Sequence, residues 1–148
     1  MEGEKVENVI DKIAKALLKA QKEIGGAEKN SKNDYFNSSY ADLESVTKAC
    51  KSILNKNGIC FFQGFDYAVE KDVFFVITTL IPESGQTISN RIGFPVVKKD
   101  AHSMGSLCTY GRRYGLSAIV GLTMLDDDGN KASSEAPKVE DTPDGEIF

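Results

Sequence analysis

Three runs rich in β-branched and aromatic residues follow one another between Ile59 and Phe94, with only short turns between them. Ile59–Tyr67 and Val73–Ile81 are separated by a charged turn at Glu70-Lys71-Asp72, and Pro82-Glu83-Ser84-Gly85 turns the chain into Gln86–Phe94. Parallel strands need a crossover of a dozen or more residues, so these runs predict an antiparallel meander. Pro95 closes the third run. A small sheet of this kind buries its apolar face only against another layer, and the rest of the chain supplies helices.

Residues 4–24 place Val6, Val9, Ile10, Ile13, Leu17 and Ile24 on one helical stripe that Gly25-Gly26 ends. The polar stretch 27–39 reads as a loop carrying Tyr35 and Phe36. Ser39 with Asp42 three residues later resembles a capping box for a helix that buries Leu43, Val46, Cys50, Ile53 and Leu54 and stops at Asn57-Gly58. A last helix is predicted over about 101–119, capped by Asp100 or Ser103. The order helix, helix, three strands, helix defines an α+β fold: a small antiparallel β-meander of about three strands packed against helices.

Charge divides the chain. Of 148 residues, 18 are Lys or Arg and 22 Asp or Glu, a formal charge of -4. From Asp126 to Phe148, eight acids (Asp126, Asp127, Asp128, Glu135, Glu140, Asp141, Asp144, Glu146) face two bases, Lys131 and Lys138, so this stretch carries -6 and the remainder +2. The expected organisation is one folded domain over residues 1–125 and an acidic, disordered tail over 126–148. A mildly basic body removes the objection that an acidic chain poses to a nucleic-acid partner.

Several chemistries find no support in the sequence. Cys50, Cys60 and Cys108 are widely spaced and read as reduced thiols, neither a disulfide frame nor a zinc site. No apolar run approaches the ~18 residues of a membrane span, and the start MEGEKVENVIDK is too acidic for a signal peptide; a cytoplasmic location is expected. There is no GxxxxGK[ST] phosphate loop, and His102 is the only histidine. Asp126-Asp127-Asp128-Gly129-Asn130 lacks the glycine and glutamate spacing of a calcium loop. No enzyme, catalytic residue, metal or cofactor is expected.

The last helix, AHSMGSLCTYGRRYGLSAI, carries the remaining signal. Gly105, Cys108, Gly111, Gly115 and Ala118 recur every three or four residues. Each interior glycine costs about 1 kcal/mol relative to alanine, so close approach of something must compensate. Packing on the sheet is one explanation, and a neighbouring subunit or ligand the other. Tyr110 and Tyr114 share a second face with Arg113 beside them, and Arg112 is rotated from Arg113 by about 100°. Arginine holds phosphate and an aromatic face accepts any base, so the cluster suits single-stranded nucleic acid; a solvated or salt-bridged helix face explains the same residues.

The stretch Gly105-Ser106-Leu107-Cys108-Thr109-Tyr110-Gly111-Arg112-Arg113-Tyr114-Gly115-Leu116, followed by Asp126-Asp127-Asp128-Gly129-Asn130, resembles the signature of the ERF family of phage single-strand annealing proteins. Lys32-Asn33 with Phe36, the block Ser39-Tyr40-Ala41-Asp42-Leu43, Thr78-Thr79-Leu80 and Ser84-Gly85 extend the resemblance over about residues 5–132. Cys108 and Gly111 stand where the family commonly has alanine. The resemblance implies a Rad52-like core, binding of single-stranded DNA, homo-oligomeric rings or filaments, and ATP-independent strand annealing in phage recombination within a bacterial host cell. It places the basic-aromatic block on Tyr110, Arg112, Arg113 and Tyr114. A phage exonuclease or the host single-stranded-DNA-binding machinery would be further partners.

Further DNA contacts are expected from Lys98 and Lys99, just before the positive end of the last helix, from Arg91 on the third strand, and from Lys32, Tyr35 and Phe36 in the loop. Together they predict one shared groove. Phe61-Phe62 and Phe74-Phe75 each send one ring out of the core. The tail tip, with Asp144, Glu146, Ile147 and Phe148, resembles the partner-docking tip of bacterial single-stranded-DNA-binding proteins. Besides an annealing protein, the residues fit a strand-coating accessory protein that does not anneal, and an adaptor acting through its acidic tail.

Overall fold

The computed structural model describes residues 10–27, 31–33 and 38–123. Val6, Val9, Tyr35, Phe36, Asp126–Asp128 and the tip residues Asp144, Glu146, Ile147 and Phe148 lie outside the described residues. The elements are α1 (Asp11–Glu23), β1 (Ser31–Asn33), β2 (Ser38–Tyr40), α2 (Leu43–Lys56), β3 (Ile59–Ala68), β4 (Val73–Pro82), β5 (Ile88–Pro95) and α3 (Ala101–Val120).

The meander forms as the turns require. β3, β4 and β5 make an antiparallel sheet in chain order, with Phe62 opposite Thr79 and Thr79 opposite Ser89. Along β4 every second residue from Phe74 to Pro82 is buried, the signature of a strand with one covered face. A single 3-10 turn at Val69–Lys71 joins β3 to β4, and Asp72 completes it in the left-handed region at φ 48°.

Two expectations need correction. The stretch 27–39 holds a hairpin, β1 against β2, with Lys32 opposite Ser39. Strands of three polar residues leave no apolar alternation to read. Because Ser39 lies in β2, it does not cap α2: Asp42 does, its carboxylate accepting the Ser45 amide hydrogen at 2.9 Å. At the last helix Asp100 is the cap, accepting from both the amide and the hydroxyl of Ser103. That helix ends at Gly121, which takes φ 71°.

All three helices lie on one face of the sheet. The main core joins Ile13 and Ala20 of α1, Val46, Cys50 and Leu54 of α2, Ile59 and Leu80 of the sheet, and Leu116 and Val120 of α3. A second, smaller core sits under the first half of α3, where Phe74, Val76 and Val96 meet Phe94, Met104 and Leu107. The start of α1 is tied to the β4–β5 turn, as Gln86 Oε1 accepts the amide hydrogens of Lys12 and Ile13 at 3.0 and 3.1 Å. This satisfies two of the donors that a helix start leaves open.

The glycines of α3 divide by role. A Cβ on Gly111 would overlap Val76 Cγ2, and one on Gly115 would stand 2.5 Å from Thr78 Oγ1. These two let the helix backbone rest on β4, so packing on the sheet is the reason for them. Gly105 is different, since a Cβ there meets nothing within 4 Å. Six residues turn a helix by about 600°, which carries Gly105 well off the face that holds Gly111. Gly111→Ala should therefore destabilise the protein by about 1–3 kcal/mol through overpacking. Gly105→Ala should stabilise it by up to about 1 kcal/mol. Thermal denaturation of the two variants beside the parent protein checks both signs.

Candidate nucleic-acid interface

A residue on α3 is placed by its angle from Gly111 and Gly115, which mark the sheet side. Arg113 is two positions from each, about 200° around the helix, and so points away from the sheet toward α2. It is 8% exposed. Its Nη1 donates to the Ala41 carbonyl at 3.3 Å, and its Nη2 to the Tyr114 hydroxyl at 3.4 Å. The guanidinium carbon lies 5.1 Å from the Tyr110 ring centre and 4.9 Å from that of Tyr114. The two rings stand 6.3 Å apart at 10° to one another, and both are solvent-exposed. Arg113 is thus not the outward phosphate contact that its place in the sequence suggested. It is the buried post on which a parallel tyrosine pair is mounted.

Arg112 sits two positions from each tyrosine, on the other side of the helix. It is exposed and reaches β3, where its Nε donates to Gln63 Oε1 at 3.4 Å. Gln63 Nε2 in turn donates to the Arg112 carbonyl and to Thr78 Oγ1, each at 2.8 Å. The block Tyr110-Gly111-Arg112-Arg113-Tyr114 therefore serves three places: the tyrosine surface, the sheet contact and the β3 side.

Between the start of α2 and the first half of α3 runs a cleft of about 500 Å3. Asp42 and Leu43 form one wall, His102, Ser106, Thr109 and Tyr110 the other, and Arg113 contributes to its lining. A shallower depression lined by Lys98, His102 and Ser106 adjoins it, so Lys98 stands beside the same cleft. The sequence reading missed this wall. The signal was present: His102, Ser106, Thr109 and Arg113 follow one another at spacings of four, three and four, which is one face of a helix.

The remaining expected contacts do not gather there. Lys99 is ion-paired with Asp72 at 2.7 Å, and the Tyr67 hydroxyl donates to the same carboxylate. Lys99 foremost, then Tyr67, hold the Asp72 carboxyl below its ordinary value. The stability from this corner is therefore present above the unfolded carboxylate's range and is lost as pH falls through the lowered folded value. Arg91 lies opposite Ile77 on the sheet face away from the helices, 3.6 Å above the Phe75 ring and paired with Asp66 at 2.8 Å. Lys32 falls on β1, opposite Ser39. One groove does not hold them all: Lys98, Tyr110 and Arg113 meet at the cleft, and Arg91 and Arg112 lie elsewhere. Among the described residues no three His, Cys, Asp or Glu side chains gather to hold a metal ion, and no helix is long and apolar enough to cross a membrane.

The fold is a two-layer α+β body with an Arg113-braced tyrosine pair beside a cleft lined by Asp42, His102 and Arg113. The comparison with family models is more specific. The ERF superfamily model matches residues 13–145, and the chain belongs to that family, whose theme is DNA recombination and annealing. No curated protein and no solved structure matches the chain. The Rad52-like kinship of the core rests on the family resemblance alone.

The two arginines should respond differently to truncation. Arg113→Ala should cost about 1–3 kcal/mol, because it leaves the buried Ala41 carbonyl without this donor. Arg112→Ala, at an exposed site, should stay within about 0.5 kcal/mol of the parent. Urea denaturation with near-ultraviolet circular dichroism of the tyrosines reads both effects.

Proposed function

We propose that this chain binds single-stranded DNA and anneals complementary strands without ATP, working as a homo-oligomer in phage recombination. The observation that carries the reading is the exposed, near-parallel Tyr110–Tyr114 pair fixed on buried Arg113, in a chain of the ERF superfamily. Stacking on an aromatic ring is worth about 1–3 kcal/mol per base and is indifferent to sequence, as an annealing surface requires. Arg113 fixes the ring planes before a strand arrives, so little side-chain freedom is lost on binding. Lys98 and the positive end of α3 stand next to the same cleft and neutralise phosphate. The effect on the reaction is proximity and charge neutralisation. No covalent step, catalytic residue, metal or cofactor takes part.

In this reading Tyr110 and Tyr114 hold bases, Lys98 holds phosphate and Arg113 positions the rings. Fluorescence anisotropy with a labelled oligonucleotide tests binding. The affinity should fall with salt, at a slope of about -0.7 per phosphate neutralised. Tyr110→Ala should weaken binding by about 1–3 kcal/mol, roughly 5- to 150-fold, with the melting temperature little changed. Absence of binding at low salt would sink the proposal. Annealing is then followed by energy transfer between two labelled complementary strands. Binding without annealing would assign the protein a coating role.

A further inference from the structure

Four lysines run along one side of α1. Lys12, Lys15, Lys19 and Lys22 are spaced three, four and three residues apart, which keeps them within about 80° of the helix circumference. All four are exposed. Helix residues three and four apart are neighbours, so three like-charged pairs repel along about 15 Å of α1. Elsewhere cations are answered: Lys48, Lys56, Arg91 and Lys99 each hold a carboxylate at 2.6–2.8 Å. None of the four α1 lysines enters a salt bridge among the described residues. The acids of the same helix are engaged at its two ends, Asp11 with Gln86 and Glu23 with Lys56 and Asn57. The middle of the stripe has no anion set against it.

We infer that residues 124–128 fold back across α1 as an intramolecular latch, Met124-Leu125 covering Leu18 and Asp126-Asp127-Asp128 set against Lys15, Lys19 and Lys22. The chain leaves the fold at the right place. Gln21 Nε2 donates to the Val120 carbonyl at 3.1 Å, and Leu122 is buried in the main core with Ile13 and Ala20. Leu18, three residues before Gln21, is 54% exposed and is the helical neighbour of both Lys15 and Lys22. From the exit at Gln21 the surface of α1 therefore runs apolar and then cationic. The chain after Thr123 runs apolar and then acidic, in the same order. Three residues carry Asp126 up to about 10 Å past Thr123, and Lys22 adjoins Gln21. Single exposed ion pairs contribute little, but several in a network contribute more, and the short tether keeps the local concentration of the acids high. The latch gives a role to an acidic run whose spacing fits no calcium loop. It also withdraws the α1 lysines from polyanions in solution.

The test needs no DNA, so its failure is separate from any failure of strand binding. A water-soluble carbodiimide joins a carboxylate to an amine only where the two touch. On the full-length protein it should give chains of monomer mass whose peptide map joins Asp126, Asp127 or Asp128 to Lys15, Lys19 or Lys22. Asp126→Asn with Asp127→Asn and Asp128→Asn should lose these links. Exchanging the charges, with Lys15→Glu, Lys19→Glu and Lys22→Glu against Asp126→Lys, Asp127→Lys and Asp128→Lys, should restore a link between the same two segments. The triple asparagine variant should also elute from heparin at higher salt than Glu135→Gln with Glu140→Gln and Asp141→Asn, which has the same net charge but keeps the latch. Absence of the α1 links overturns the inference. So do links found only in covalent dimers, links from residues 126–128 only to lysines off α1, or equal elution of the two variants.

Discussion

The seating of α3 on β4 is the contact on which the rest depends. Val76 and Thr78 occupy the space that side chains at Gly111 and Gly115 would need. The helix can therefore lie close only in one rotational setting. Asn90 Nδ2 on β5 and Gln63 Nε2 on β3 donate to the carbonyls of Gly115 and Arg112, gripping the helix from both flanking strands. Once that rotation is set, every other α3 residue is assigned a neighbour. Leu116 and Val120 enter the main core, Met104 and Leu107 enter the second one, and the tyrosines turn outward.

The same constraint explains why a compact basic-aromatic block does not act as one patch. A helix distributes adjacent residues around its axis, so a five-residue motif faces every direction. Burial then separates the two arginines by function. A guanidinium set against two rings and a backbone carbonyl loses its reach into solvent and braces the aromatics. Lys99 and Arg91 show the same economy at the surface, each already committed to a carboxylate.

Much of the architecture could be read directly. Short turns dictated the antiparallel meander, periodic Val46, Cys50 and Leu54 gave α2, and Asp100 marked the start of α3. The hairpin β1–β2 escaped because three-residue polar strands owe their pairing to backbone bonds and leave no side-chain pattern. The cleft was half legible. Its α3 wall follows helical spacing, but the facing wall at Asp42 and Leu43 exists only through tertiary contact. Arg113 was misplaced because residue type argues for the surface. Its angle from the two packed glycines argues for the interior, and the angle decides.

Arg91 has a further architectural meaning. No described helix covers the sheet face that carries Phe62, Phe75, Ile77 and Ile81, and an antiparallel sheet commonly leaves one face to water. Here the Arg91 guanidinium roofs the Phe75 ring and is held there by Asp66, one strand beyond. A charged side chain thus shields one ring of the open face, presenting water with polar atoms while its stem and plane cover apolar surface. On the open back of the sheet, Phe75 is roofed by the same arginine that ties β5 to Asp66 of β3 across the intervening strand.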